Sequence, residues 1–73
     1  MAMIENTMTL ILNGSPHPIA GPQPLTALLD SLGLAGKPVV VELNEMPILS
    51  RDYPTTLVTA GARLEVVTLA AGG

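Results

Sequence analysis

Cysteine, tryptophan and phenylalanine are absent from this sequence, and histidine and tyrosine occur once each. Without cysteine no disulfide can staple the fold, and one histidine cannot build a zinc cage. Basic residues are scarce: Lys37, Arg51 and Arg63 are the whole complement, against a formal net charge of -3. Three scattered cations cannot neutralise a phosphate backbone, so a basic protein is a better expected partner than nucleic acid. Long apolar runs are also missing. No stretch approaches the ~20 apolar residues of a membrane span, and the first seven residues lack the positive charge and apolar core of a signal peptide. A cytoplasmic location is expected.

What is present is aliphatic. Of the 73 residues, 48% are hydrophobic, supplied almost entirely by Val, Leu, Ile, Ala and Met. A chain of this size forms one small domain that buries only about 60% of its unfolded surface, so aliphatic packing must hold it with a thin margin.

Residues 1–6 carry no periodic pattern and are expected to form a disordered extension. From Thr7 to Asn13, Met8, Leu10 and Leu12 alternate with Thr9, Ile11 and Asn13, which predicts a half-buried strand. Asn13-Gly14 is a hairpin signal, because both residues tolerate positive φ. A second strand is expected over His17-Pro18-Ile19-Ala20; its prolines, Pro16 and Pro18, restrict it to a sheet edge. Gly21-Pro22-Gln23-Pro24 closes it.

The period then changes. Leu25, Leu28, Leu29 and Leu32 fall at i, i+3, i+4 and i+7, the stripe of an amphipathic helix. Pro24 suits its first turn, and Gly33 the left-handed position beyond its end, with Leu34 folding back. Val39-Val40-Val41-Glu42-Leu43 is apolar on both faces up to Glu42, which predicts an interior or well-covered strand. Asn44-Glu45 turns the chain into a short segment around Ile48-Leu49, interrupted by Pro47. Ser50 to Thr56 has helical-turn character, Leu57 and Val58 are expected to plug the core, and Gly61 leads into a final strand, Arg63 to Leu69. In that strand Leu64 and Val66 face one way and Glu65 and Val67 the other.

One helix stripe and one sheet face can seal a single core. The expected fold is therefore α+β: a β-grasp-like roll with a mixed sheet of four to five strands and one main helix, spanning residues 7–68. The last strand sits inside the sheet.

Catalytic constellations are missing from the sequence. His17, between two prolines, has no cysteine or serine nucleophile at useful spacing and reads as a hairpin residue. Gly36-Lys37 lacks the rest of a phosphate loop, and the carboxylates are scattered. Asp30-Ser31-Leu32 resembles the attachment triplet of acyl carrier proteins, but here it closes a helix in a chain that is mostly strand.

The end of the sequence is different. Leu69-Ala70-Ala71-Gly72-Gly73 offers a slim tail, residues 69–73, expected to be flexible. Five extended residues span about 16 Å at most, enough for Ala70, Ala71 and Gly72 to thread a narrow channel in a partner's active site. The Gly73 carboxylate would arrive ionised, with a typical pKa of ~3.5.

Taken in order and spacing, these stretches resemble the ThiS family, ubiquitin-like sulfur carriers of thiamin biosynthesis. Met8 to Gly14 is similar to that family's opening, Leu25 to Leu32 to its leucine-rich helix, Val39 to Asn44 to its central strand, and Thr56-Leu57, Gly61 and Leu64 to Val67 to its closing segment. Gly72-Gly73 is similar to its functional signature. Pro24, in place of a Thr or Ser cap, and Ala62, in place of an acidic residue, depart from the pattern, and Pro47 to Tyr53 matches only loosely.

The resemblance implies a carrier and co-substrate, not an enzyme, with no bound cofactor. A ThiF-like adenylating enzyme would use ATP and Mg to activate the Gly73 carboxylate. Sulfur from a cysteine desulfurase or rhodanese-type source would displace AMP and leave a thiocarboxylate, which thiazole synthase would consume. Docking is expected on the exposed sheet face near the tail, at Glu65 and Leu69. The small subunit of molybdopterin synthase, a carrier for another pathway, a protein-conjugating modifier and a plain β-grasp binding module stand as alternatives.

Overall fold

The computed structural model describes residues 8–69; the expected N-terminal extension, residues 1–6, and Ala70 to Gly73 of the expected tail lie outside the described residues. Strand β1, Met8–Leu12, turns through Asn13 (φ 50) and Gly14 (φ 85) into β2, Ser15–Ile19. Two successive positive φ values are what a tight primed turn requires, and they match the twist of the flanking strands. Because the turn is this tight, β2 begins at Ser15 and ends at Ile19, two residues earlier than the expected His17 and one before Ala20. It lies at one sheet edge, where Pro16 and Pro18 are tolerated.

Gln23–Pro24 forms a short strand, β3, that pairs antiparallel with a later one, Leu57–Val58. The sequence reading treats Gln23-Pro24 as mere closure; the pairing partner is too remote in sequence for a local pattern to reveal. Helix α1 spans Leu25–Ser31, one residue short of Leu32. Pro24 is not in its first turn. It stands just outside, in an extended conformation (φ -64, ψ 149), with Leu57 opposite.

The helix C-terminus closes as its sequence implies. Gly33 (φ 78) donates its N–H to the Asp30 carbonyl (3.0 Å), and Leu34 reaches back to that of Leu29 (2.9 Å). Those two bonds satisfy carbonyls that a helix end would otherwise leave without partners.

Strand β4, Val39–Leu43, turns through Asn44 (φ 51) and Glu45 (φ 70) into β5, Met46–Ile48. A 3₁₀ helix, Ser50–Thr55, follows, then β6, Leu57–Val58, and β7, Arg63–Thr68. The main sheet has five strands in the order β2-β1-β7-β4-β5, with β1 and β7 parallel and the other neighbours antiparallel. β3 and β6 form a separate two-stranded sheet. The last strand is therefore central, as expected.

The core gathers Leu10, Leu25, Leu28, Leu29, Val41, Val58, Leu64 and Val66 between the helix and one sheet face, and contains no buried polar side chain among the described residues. Three expectations about apolar residues need correction. Val40 is exposed, because only one face of β4 is covered. Leu49 lies outside β5 and is exposed, and Leu57 points to solvent while Val58 alone plugs the core.

Candidate functional site

Leu64 and Val66, both buried, fix β7 to the core, so every second residue, Arg63, Glu65 and Val67, faces outward. Neighbouring β4 behaves alike, with Val41 buried and Val40 and Glu42 exposed. The antiparallel register places Val40 opposite Val67 and Glu42 opposite Glu65. The outer face thus carries a carboxylate rung and, one step nearer the tail, an apolar rung.

Two asparagines clamp the strand. Asn13, just past the end of β1, accepts the Val66 N–H on Oδ1 (2.8 Å) and donates Nδ2 to the Val66 carbonyl (3.1 Å), while its own N–H donates to the Leu64 carbonyl (2.8 Å). Its side-chain amide continues the β1–β7 ladder where the main chain turns away. Across the strand, Asn44 accepts the Arg63 N–H on Oδ1 (2.9 Å) and donates its backbone N–H to the Arg63 carbonyl (2.7 Å).

Leu69, expected as the first tail residue, still donates its N–H to the Pro38 carbonyl (3.0 Å), so the ladder with the β4 side extends one residue beyond β7. Its side chain is about half exposed, at 49%. Glu65 is exposed on the same outer face as Val67. Leu69 also borders a cleft of about 540 Å³, open on one side and lined by Leu29, Lys37, Pro38, Ser50 and Tyr53. Ala70, Ala71, Gly72 and Gly73 fall outside the described residues.

The other motifs find structural places. His17 lies on edge strand β2, opposite Leu10. Ser31 closes the helix and donates its hydroxyl to the Leu28 carbonyl (2.7 Å), so Asp30-Ser31-Leu32 sits at a helix end with its serine engaged. Among the described residues no three His, Asp or Glu side chains converge as metal ligands. Sequence reasoning names Glu65 and Leu69 and puts Val67 on the face of Glu65, but misses Glu42 and Val40 on the neighbouring strand. Alternation within each strand sorts the faces; only the register between strands, a non-local property, brings the pairs together.

Comparison with known proteins adds three findings. The sequence model of the ThiS family matches residues 10–73. The sulfur carrier protein ThiS of Thermus thermophilus is 39% identical over 62 residues, covering 85% of this chain and 95% of that protein, and the uncharacterized protein ycf40 of Pyropia yezoensis is 31% identical over 71 residues, covering 97% and 100%. The crystal structure of the thiamine biosynthesis protein ThiS from Geobacter metallireducens superposes with a TM-score of 0.78 at 32% identity, covering 90% of this chain and all of that one.

Proposed function

The chain belongs to the ThiS family of ubiquitin-like sulfur carriers, and from that membership we propose that Gly73 carries sulfur as a C-terminal thiocarboxylate for thiazole formation in thiamin biosynthesis. A carboxylate is a poor electrophile until one oxygen becomes a leaving group. A ThiF-like adenylating enzyme, with ATP and Mg, converts the Gly73 carboxylate to an acyl-adenylate and releases pyrophosphate. The terminal sulfur of a persulfide on a desulfurase or rhodanese-type protein, originating in cysteine, then displaces AMP to give an acyl disulfide with that protein, and a thiol reductant cleaves its S–S bond to release the thiocarboxylate. Thiazole synthase takes the sulfur and returns the carboxylate. The protein acts as co-substrate and its partners supply the catalysis.

The observation that carries this reading is the family match reaching residue 73, Gly72-Gly73 included, on a chain whose central strand β7 leads into those residues. Docking through Glu65 and Leu69 fits their exposure beside that exit. A small body with its last strand clamped on both sides gives a partner a fixed platform, and glycines at the end let the backbone approach reacting groups closely.

Reconstitution tests the proposal. With the adenylating enzyme, ATP and a sulfur donor, the protein should support thiazole formation by thiazole synthase, and deletion of Gly73 should abolish it without moving the unfolding midpoint. Sulfur transfer by the shortened chain would rule out Gly73 as the carrier. Transfer to a molybdopterin precursor in place of the thiazole would reassign the pathway.

A further inference from the structure

Strands β2 and β5 lie at the two edges of the main sheet, and among the described residues no strand pairs with their outer sides. An unpaired edge presents N–H and C=O groups on which another chain can add a strand; natural edges are blunted by charge, proline, bulges or shortness. Charge is missing here, since β2 reads Ser-Pro-His-Pro-Ile and β5 reads Met-Pro-Ile. Met46 in β5 and Leu49 just beyond it are both more than half exposed, apolar surface that an added strand would cover. The hydrogen bonds of the inner strands fix which way each edge residue points, because a residue's N–H and C=O share one side of a strand and successive residues alternate sides. Ile11 and Asn13 donate to the Ala62 and Leu64 carbonyls, so the even-numbered residues of β1 face β2. Ser15, His17 and Ile19 are therefore the bonded partners, and Pro16 and Pro18, opposite Ile11 and Thr9, turn their nitrogens outward. On the far side, Asn44 donates to the Arg63 carbonyl and Leu69 to that of Pro38, which turns Glu42 toward β7 as well. Leu43 with Met46 and Val41 with Ile48 are then the bonded pairs, and Pro47, opposite Glu42, also faces out. Every outward backbone position of both edge strands is a proline.

We propose that Pro16, Pro18 and Pro47 close both edges of the sheet to strand addition, so that the chain neither pairs with its own copies nor captures extended segments of other proteins edge-on. An added antiparallel strand needs a donor and an acceptor at each outward residue. These edges present the carbonyl alone, and the incoming strand's own carbonyls would be buried there without partners, which costs free energy. The prolines give up nothing within the fold, because each nitrogen lies on the side away from the neighbouring strand. All three are exposed, so their role is not to fill the core. A chain that is 48% hydrophobic and has no charged residue on either edge strand has need of such a device. The inference follows from backbone direction and does not depend on the carrier reading.

Sedimentation velocity of the full-length chain over a wide concentration range tests this. Pro47→Thr opens β5, Pro16→Thr with Pro18→Thr opens β2, and all three together open both edges. Pro22→Thr, at an exposed position outside the strands, controls for the loss of a rigid residue. Wild type and Pro22→Thr should sediment as monomers throughout. Opening one edge should give species of about twice the monomer mass, because like edges pair about a two-fold axis and the pairing closes; opening both should give assemblies that grow with concentration. Hydrogen exchange locates the contact: the amides gained at positions 16, 18 and 47 should exchange freely in the dilute monomer and slow on association. A folded three-proline variant that stays monomeric at every concentration would overturn the proposal. So would self-association of wild type, association of Pro22→Thr to the same extent, or association of the variants with the new amides still exchanging freely. If the three-proline variant does not fold, Pro47→Thr alone, one exposed residue in a three-residue strand, decides the matter by the same two readouts.

Discussion

Asn13 does the work of a residue that the strand no longer has. It takes a left-handed conformation (φ 50) to begin the hairpin, and its side-chain amide then makes both bonds to Val66. These two demands can be separated by substitution. Glycine keeps the conformation and loses the amide, so Asn13→Gly should lower stability by about 1–3 kcal/mol, the usual worth of two such bonds. Alanine adds the left-handed penalty, so Asn13→Ala should cost about 1 kcal/mol more. Denaturant midpoints of the two variants check this, and equal midpoints would remove the conformational part of the explanation. Leu28, only 1% exposed, belongs to a core with no aromatic side chain except the half-buried Tyr53 at its margin. Leu28→Ala should cost about 2–5 kcal/mol, a large part of what so small a domain has; an unchanged midpoint would contradict the helix packing.

At the scale of elements, local signals were legible and pairings were not. The leucine stripe gives the helix, Asn13-Gly14 gives the hairpin, and Gly33 gives the helix end, because each is decided by residues within a few positions of one another. Gly33→Ala isolates the last of these. Its φ of 78 is costly for any side chain, yet an added Cβ meets nothing within 4 Å. Strain is therefore the whole effect, about 1–2 kcal/mol, readable as a lower thermal midpoint with an intact fold. The β3–β6 pairing stayed hidden because Gln23-Pro24 and Leu57-Val58 are brought together only by the helix and strands between them. Val40 misled for a related reason: an apolar run says a strand can be covered on both faces, and only the tertiary arrangement says whether it is. The same register that exposes Val40 opposes Glu42 to Glu65. Replacing either glutamate by threonine should raise stability by about 0.2–1 kcal/mol, since the repulsion goes and a β-branched residue suits the strand.

For the whole molecule, the order of elements was enough to reach the β-grasp arrangement, with β7 in the middle of a five-stranded sheet. The reason is physical: one amphipathic helix and a handful of short strands have few ways to share a single core. The site was legible in part. Glu65 and Leu69 could be named from strand alternation and from their place before the tail, whereas the cleft beside Leu69 depends on Lys37, Ser50 and Tyr53 converging from separate segments. Function rests on the far end of the chain, where sequence and family membership speak and residues 70–73 lie beyond what the structure describes. Intact-mass spectrometry after incubation with the adenylating enzyme, ATP and a sulfur donor tests the carrier role most directly. A mass gain corresponding to one oxygen replaced by one sulfur, absent when Gly73 is deleted, is the predicted result. An unchanged mass under conditions where the enzyme consumes ATP on this protein, or a covalent conjugate to a lysine in its place, would contradict it.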